Sequence, residues 1–211
     1  MKNKAAVIAL VAFAVVGTVA AWSIRPVNEP VAMTPTATSL REDMRKLWSD
    51  HVVWTRQYIV AAVAGDSSAP VALTRLMQNQ EDLGNAVKPF YGVPAGTKLT
   101  ALLKQHISIA GELVAAAKAA DAAKQADADR RWHSNAADIA SFLASANPNW
   151  SRDALLGMLN QHLALTTREA NARLQHNWTD DQTTFDEIYS QAMDMADALS
   201  DGIRKQFPKK A

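Results

Sequence analysis

The sequence predicts an all-α helical bundle of three antiparallel hairpins, six helices in all, placed after an N-terminal apolar segment. Three observations carry that prediction. Beyond residue 38 the apolar side chains recur at helical spacings of three and four, and no stretch sustains the alternation of a strand. Helix breakers punctuate the chain at Gly65, "YGVPAGT", "NPNW" and Pro208. A threefold repeat then appears on self-comparison. "NQEDLG" at Asn79, "NAADIA" at Asn135 and "QAMDMA" at Gln191 recur at offsets of 56 and 56, while His51, His106 and His162 lie 55 and 56 apart.

Residues 1–24 read as a signal peptide or membrane anchor, because Lys2 and Lys4 precede an uncharged run from Ala5 to Trp22. "VAA" at Val19 to Ala21 offers a cleavage site, yet the run of 18 residues is also long enough to span a membrane. The expectation is an extracytoplasmic, periplasmic chain anchored in the inner membrane with its lysines inside, secretion after cleavage being the alternative. Residues 25–38 carry three prolines among small polar side chains and no periodicity, the composition of a flexible tether. The bundle occupies residues 39–208, and 209–211 form a basic tail.

Within the bundle, "SLRE" makes a capping box of Ser39 and Glu42 that starts helix A, which ends at Ala64 before Gly65. Helix B runs from Pro70 to the residue before Pro89, C from Lys98 to Ala120, and D from Asp121 to Ala146. Helix E covers Ser151 to Asn177 and F covers Asp181 to Phe207.

Composition removes several functions. Basic and acidic residues number 22 and 21, so the chain lacks the cationic surplus that nucleic acid requires. Without cysteine there is no disulfide, zinc-thiolate site or thiol nucleophile. The glycines before Lys98 match neither a Walker A loop nor a dinucleotide fingerprint, and no Gly-x-Ser-x-Gly elbow occurs.

Counting from the turns places the polar residues. His51 and Asn79 are centred on residue 65, His106 and Asn135 on 120 to 121, and His162 and Gln191 on 176 to 177. Residues equidistant from an antiparallel turn sit at one height, so every helix contributes to a single polar belt. Imidazole with carboxylate suits a divalent transition metal, which makes His51, His106, His162, Asp82, Asp138 and Asp194 the candidate ligands. Asn79, Asn135 and Gln191 would orient them or bind a small polar ligand directly. Thr55 and Thr166 each follow a histidine by four residues, and Arg56 could neutralise a belt carboxylate or hold an anion. Glu-x-x-His and His-x-x-x-His pairs are missing, so the usual di-iron and zinc-peptidase spacings do not occur. The competing expectation is a non-catalytic structural or interaction protein whose belt only fixes helix register.

From Leu47 to Pro208 the phrases "HVVWTR", "NQEDLGNAVKPFYG", "LLKQHI", "ADIASFLASANPNW" and "DGIRKQFP" resemble a family of small bacterial helical proteins, exported or membrane-anchored. The resemblance implies the address and the helical architecture and brings no activity with it. Gln191 stands where a further histidine would be expected on helix F.

Overall fold

The computed structural model describes residues 37–210, and the expected anchor and nearly all of the expected tether lie outside them. Every element is helical: α1 is Ala37–Ala64, α2 Ala69–Lys118, α3 Ala122–Ala146, α4 Arg152–Leu174 and α5 Trp178–Gln206. Among the described residues no helix is long and apolar enough to cross a membrane. Each helix packs on the next in chain order, and α5 returns against α1.

Two expected boundaries move for identifiable reasons. Helix α1 begins at Ala37, so Ser39 lies inside its first turn and not at its cap. Helix α2 passes Pro89, where a break was expected, and its backbone leaves the helical region only at Gly92 (φ 83°, ψ 166°). A proline removes one hydrogen bond, but a positive φ redirects the chain and suits glycine. Pro94 then opens the second limb, so expected helices B and C are two limbs of one interrupted element. Glu81 and Lys104 form an ion pair across this break. A Cβ on Gly84 would lie 2.7 Å from the Gly96 carbonyl oxygen, and one on Gly96 would lie 2.5 Å from that of Gly84. The limbs therefore touch backbone to backbone, which only glycine allows.

Three of the other four reversals share one device, the exception being the α3 to α4 turn, where Asn147 is extended. Gly65, Ala120 and His176 have φ of 74°, 53° and 57°. Beyond each, the next amide reaches back to the carbonyl five residues earlier: Asp66 to Ala61 (2.9 Å), Asp121 to Ala116 (3.0 Å) and Asn177 to Ala172 (2.9 Å). This is the left-handed helix cap that satisfies the last free carbonyls. Asp121 and Asn177 then cap the following helix, accepting from the amides of Lys124 and Asp180.

A large apolar core fills most of the interior, with Trp132, Ile139, Leu163 and Ile203 buried to 2% exposure or less, and a smaller cluster of Ile59, Val114 and Ala170 lies apart from it. At the end near Gly92 the phrases containing Tyr91, Asn147, Trp150, Gly202, Gln206 and Phe207 meet. Asn147 donates to the Tyr91 hydroxyl (2.8 Å), which donates to Gln206 (3.0 Å), and Gln206 donates to the Ala146 carbonyl (3.2 Å). Trp150 lies so close to α5 that a Cβ on Gly202 would fall 1.9 Å from its Nε1. Arg41 and Arg45 both clamp Asp197 by two hydrogen bonds each, tying α1 to α5 at the surface.

Candidate functional site

The three repeated histidines gather in the bundle interior. His51, His106 and His162 are each only 4% exposed, and the rings of His51 and His162 lie 5.7 Å apart. Helical phase explains the burial, since each histidine lies on the same apolar face as a leucine or tryptophan three residues earlier: Trp48, Leu103 and Leu159. Trp48 packs on His51 at 5.4 Å and Trp132 on His106 at 5.2 Å.

Each imidazole meets an amide from the helix or limb packed beside it. His106 Nδ1 donates to Asn135 Oδ1 (2.8 Å), and His162 Nδ1 donates to Gln191 Oε1 (3.3 Å). The amides are themselves strapped to backbone: Asn135 donates to the Leu102 carbonyl (3.1 Å) and Gln191 to that of Met158 (3.1 Å). Asn79 makes the matching bond to Leu47 (3.0 Å), so in all three cases the amide holds the carbonyl four residues before the histidine. Asn135 and Gln191 thus bond the histidines level with them, while Asn79 is tied to the His51 helix through the Leu47 carbonyl.

His51 departs from the pattern. Its Nδ1 faces the side-chain nitrogen of Gln80 at 3.3 Å, and Gln80 also donates to the Leu76 carbonyl (2.8 Å) and to Asn79 Oδ1 (3.2 Å). The two N–H hydrogens of Gln80 are matched by the Leu76 carbonyl and Asn79 Oδ1, so its contact with His51 does not set the His51 tautomer. His106 and His162, with Nδ1 protonated, keep a lone pair on Nε2. The layer therefore presents two acceptors, on His106 and His162.

Burial keeps the layer neutral. It lowers His51 to about 3, His106 to about 3 and His162 to about 4, with mutual repulsion adding to the first two and the amides opposing.

The expected carboxylates do not join them. Asp138 and Asp194 are exposed, and Asp82 is partly exposed, 3.8 Å from Arg75. A residue three places beyond the amide is turned about 60° from it around the helix axis, enough to carry it to the flank. Among the described residues no group of three or more histidine, aspartate or glutamate side chains is placed to hold a metal ion. Thr55 bonds the backbone carbonyl of His51 (2.8 Å), not its ring. Thr166 is buried and its hydroxyl has no partner.

Arg56 does neutralise carboxylates, but other ones. It pairs with Glu169 and makes two 3.0 Å bonds to Asp181, which also accepts from Arg173 (2.7 Å). Glu169 and Asp181 are 2% and 1% exposed, while Phe185 lies 4.6 Å beneath the Arg56 guanidinium. Burial raises Glu169 to about 7, against the pull of Arg56. A signal for this cluster was available in the repeat. Glu169 stands where the earlier copies carry Leu113 and Tyr58, a carboxylate on the apolar stripe.

Compared with protein-family models, curated proteins and solved structures, the chain matches none.

Proposed function

We propose that the chain is a binding protein built from three repeated hairpins, whose histidine layer holds one small neutral polar molecule. The observation that supports this is the gathering of three buried neutral imidazoles, two of which, His106 and His162, donate Nδ1–H to an amide and offer a lone pair on Nε2. A molecule that donates twice matches those lone pairs: water, ammonia, or the neutral amine head of something larger. A metal ion shared by all three rings has less support, because among the described residues no group of three histidine or carboxylate side chains is placed to hold one. The repeat is supported by the three matching caps and the three amide-to-carbonyl straps.

A second reading has its own support. The straps from Asn79, Asn135 and Gln191 fix helix register whether or not anything binds, so a purely structural layer is the alternative. We also propose, from Lys2, Lys4 and the apolar run behind them, that the bundle is tethered outside the inner membrane.

Histidine ¹⁵N NMR on the full chain separates these readings. Titration with ammonia at pH above 9, where the free base dominates, should shift Nε2 of His106 and His162 saturably, and His106→Ala should abolish the effect. Unchanged ring nitrogens together with a large stability loss in the variant would leave only the register role. Stoichiometric zinc or cobalt in the purified chain, lost in His106→Ala, would instead restore the metal site expected from sequence. For the tether, the mass of the mature N-terminus and its membrane fractionation decide between anchor and cleaved signal.

A further inference from the structure

The histidine layer separates two interior spaces. On the side away from Gly65, Ala120 and His176, a cavity of about 40 Å³ lies among Met44, Trp48, Leu103, Leu159, Met195 and neighbouring apolar side chains. On the turn side a second, of about 30 Å³, is lined by Thr55, Leu76, Ala110, Trp132 and Thr166. Cores this closely packed rarely keep a void larger than one water, so a space above that size inside a well-formed core calls for an occupant or costs dispersion energy.

The first cavity is selective by its chemistry. Its lining side chains are Leu, Ile, Val, Met and Trp only, and the sole polar atoms they carry are two indole N–H groups. Trp150 Nε1 already donates to the Ala198 carbonyl (3.3 Å). Trp48 Nε1 is buried without a hydrogen-bond partner, on a residue 6% exposed. A buried water needs two to four polar partners and would find none here, since neither indole nitrogen opens onto the space, which is therefore dry toward water.

We propose that this cavity is a binding site for a wholly apolar molecule of two or three heavy atoms. The volume sets the size, and the lining excludes ions, polyols and water. The site is separate from the histidine centre, since none of the three imidazoles lines it. It is mechanically adjacent all the same, because the Trp48 ring that would meet the ligand packs on His51 at 5.4 Å.

The test uses the full chain with methyl-labelled methionine, and xenon and nitrous oxide as probes. Met44, Met158 and Met195 line the cavity, whereas Met77 and Met193 do not. Both gases should shift the first three methyls saturably and leave the other two in place. Leu103→Phe, which fills the space, should weaken both at least tenfold; Leu159→Phe serves if that variant does not fold. Linear, unsaturated shifts, or shifts that survive both filling variants, would overturn the site. None of these outcomes depends on whether the histidine layer binds ammonia.

Discussion

Two buried polar regions lie on the same bundle and are built on opposite principles. The histidine layer is neutral, is assembled from dipoles, and is drawn from all three copies of the repeat. The cluster of Arg56, Glu169, Asp181 and Arg173 is ionic, balanced in formal charge, and occurs once, between α1 and the pair α4 and α5. Repetition preserves what each copy can satisfy by itself, an imidazole with its own amide. A charge cannot be repeated that way, because each ion needs a counter-ion of opposite sign, and three identical copies supply three identical charges. The ionic cluster thus stands on residues without like counterparts at the offsets of 55 and 56, and the histidines of the layer stand on residues that have them.

Breaking the ionic cluster should have the largest effect. Arg56→Met leaves Glu169 and Asp181 buried with Arg173 alone, and removal of one partner of a buried pair costs about 3 to 5 kcal/mol. Urea unfolding should show that loss, and a Glu169→Gln background should recover part of it. Full stability in Arg56→Met would mean that the cluster is hydrated in solution.

The two regions also respond to acid with opposite sign. The folded histidines sit at about 3, 3 and 4, below the unfolded value of 6.5, so the unfolded state takes up protons first. That loss of stability begins as pH falls through 6.5 and continues to about 3 to 4. Glu169 is raised to about 7 from 4.5, so the folded state takes its proton first and gains stability as pH falls from 7 to 4.5. Near pH 5.5 the net uptake on unfolding is about two protons, or about 2 to 3 kcal/mol per pH unit. Glu169→Gln removes the opposing contribution, and its slope should approach three protons. Parallel slopes in the two proteins would show that Glu169 titrates normally.

Within the layer a smaller change is expected from His106→Leu, which leaves Asn135 Oδ1 without its donor, at about 1 to 3 kcal/mol. Adding Asn135→Leu should restore some of the loss, a coupling that a double-mutant cycle measures. Least costly should be Gln80→Leu, which frees Asn79 Oδ1 to accept from His51 as Asn135 does from His106. His51 should then carry its proton on Nδ1, read directly from its ¹⁵N shifts, and a proton found on Nε2 would show that Asn79 is not its partner.

Much of this arrangement was legible in the residues. Equal counting from Gly65, Ala120 and His176 put each histidine level with Asn79, Asn135 or Gln191, because helical rise is uniform and an antiparallel turn conserves height. The turn positions themselves coincide with the three residues of positive φ. Rotation about the helix was harder to read than height. Asp82, Asp138 and Asp194 share the belt's level and miss its centre, while Leu83, Ile139 and Met195, one residue further on, are the ones buried. Gln80 was invisible for a related reason, since it has no counterpart in the repeat and takes effect only by lying across from His51. Pro89 misled because the loss of a single amide was weighed above the stronger demand of Gly92 for a positive φ.

The contact of α5 with α1 bears on when the molecule becomes itself. One flank of α1, with Arg41 and Arg45, waits for Asp197, which lies among the final 29-residue helix. Until that helix has been synthesised the first one has no complete partner surface, and His51 has no His162 beside it. Chain order therefore delays closure of the bundle until α5 has emerged, so the four helices made before it stay loose through most of their synthesis.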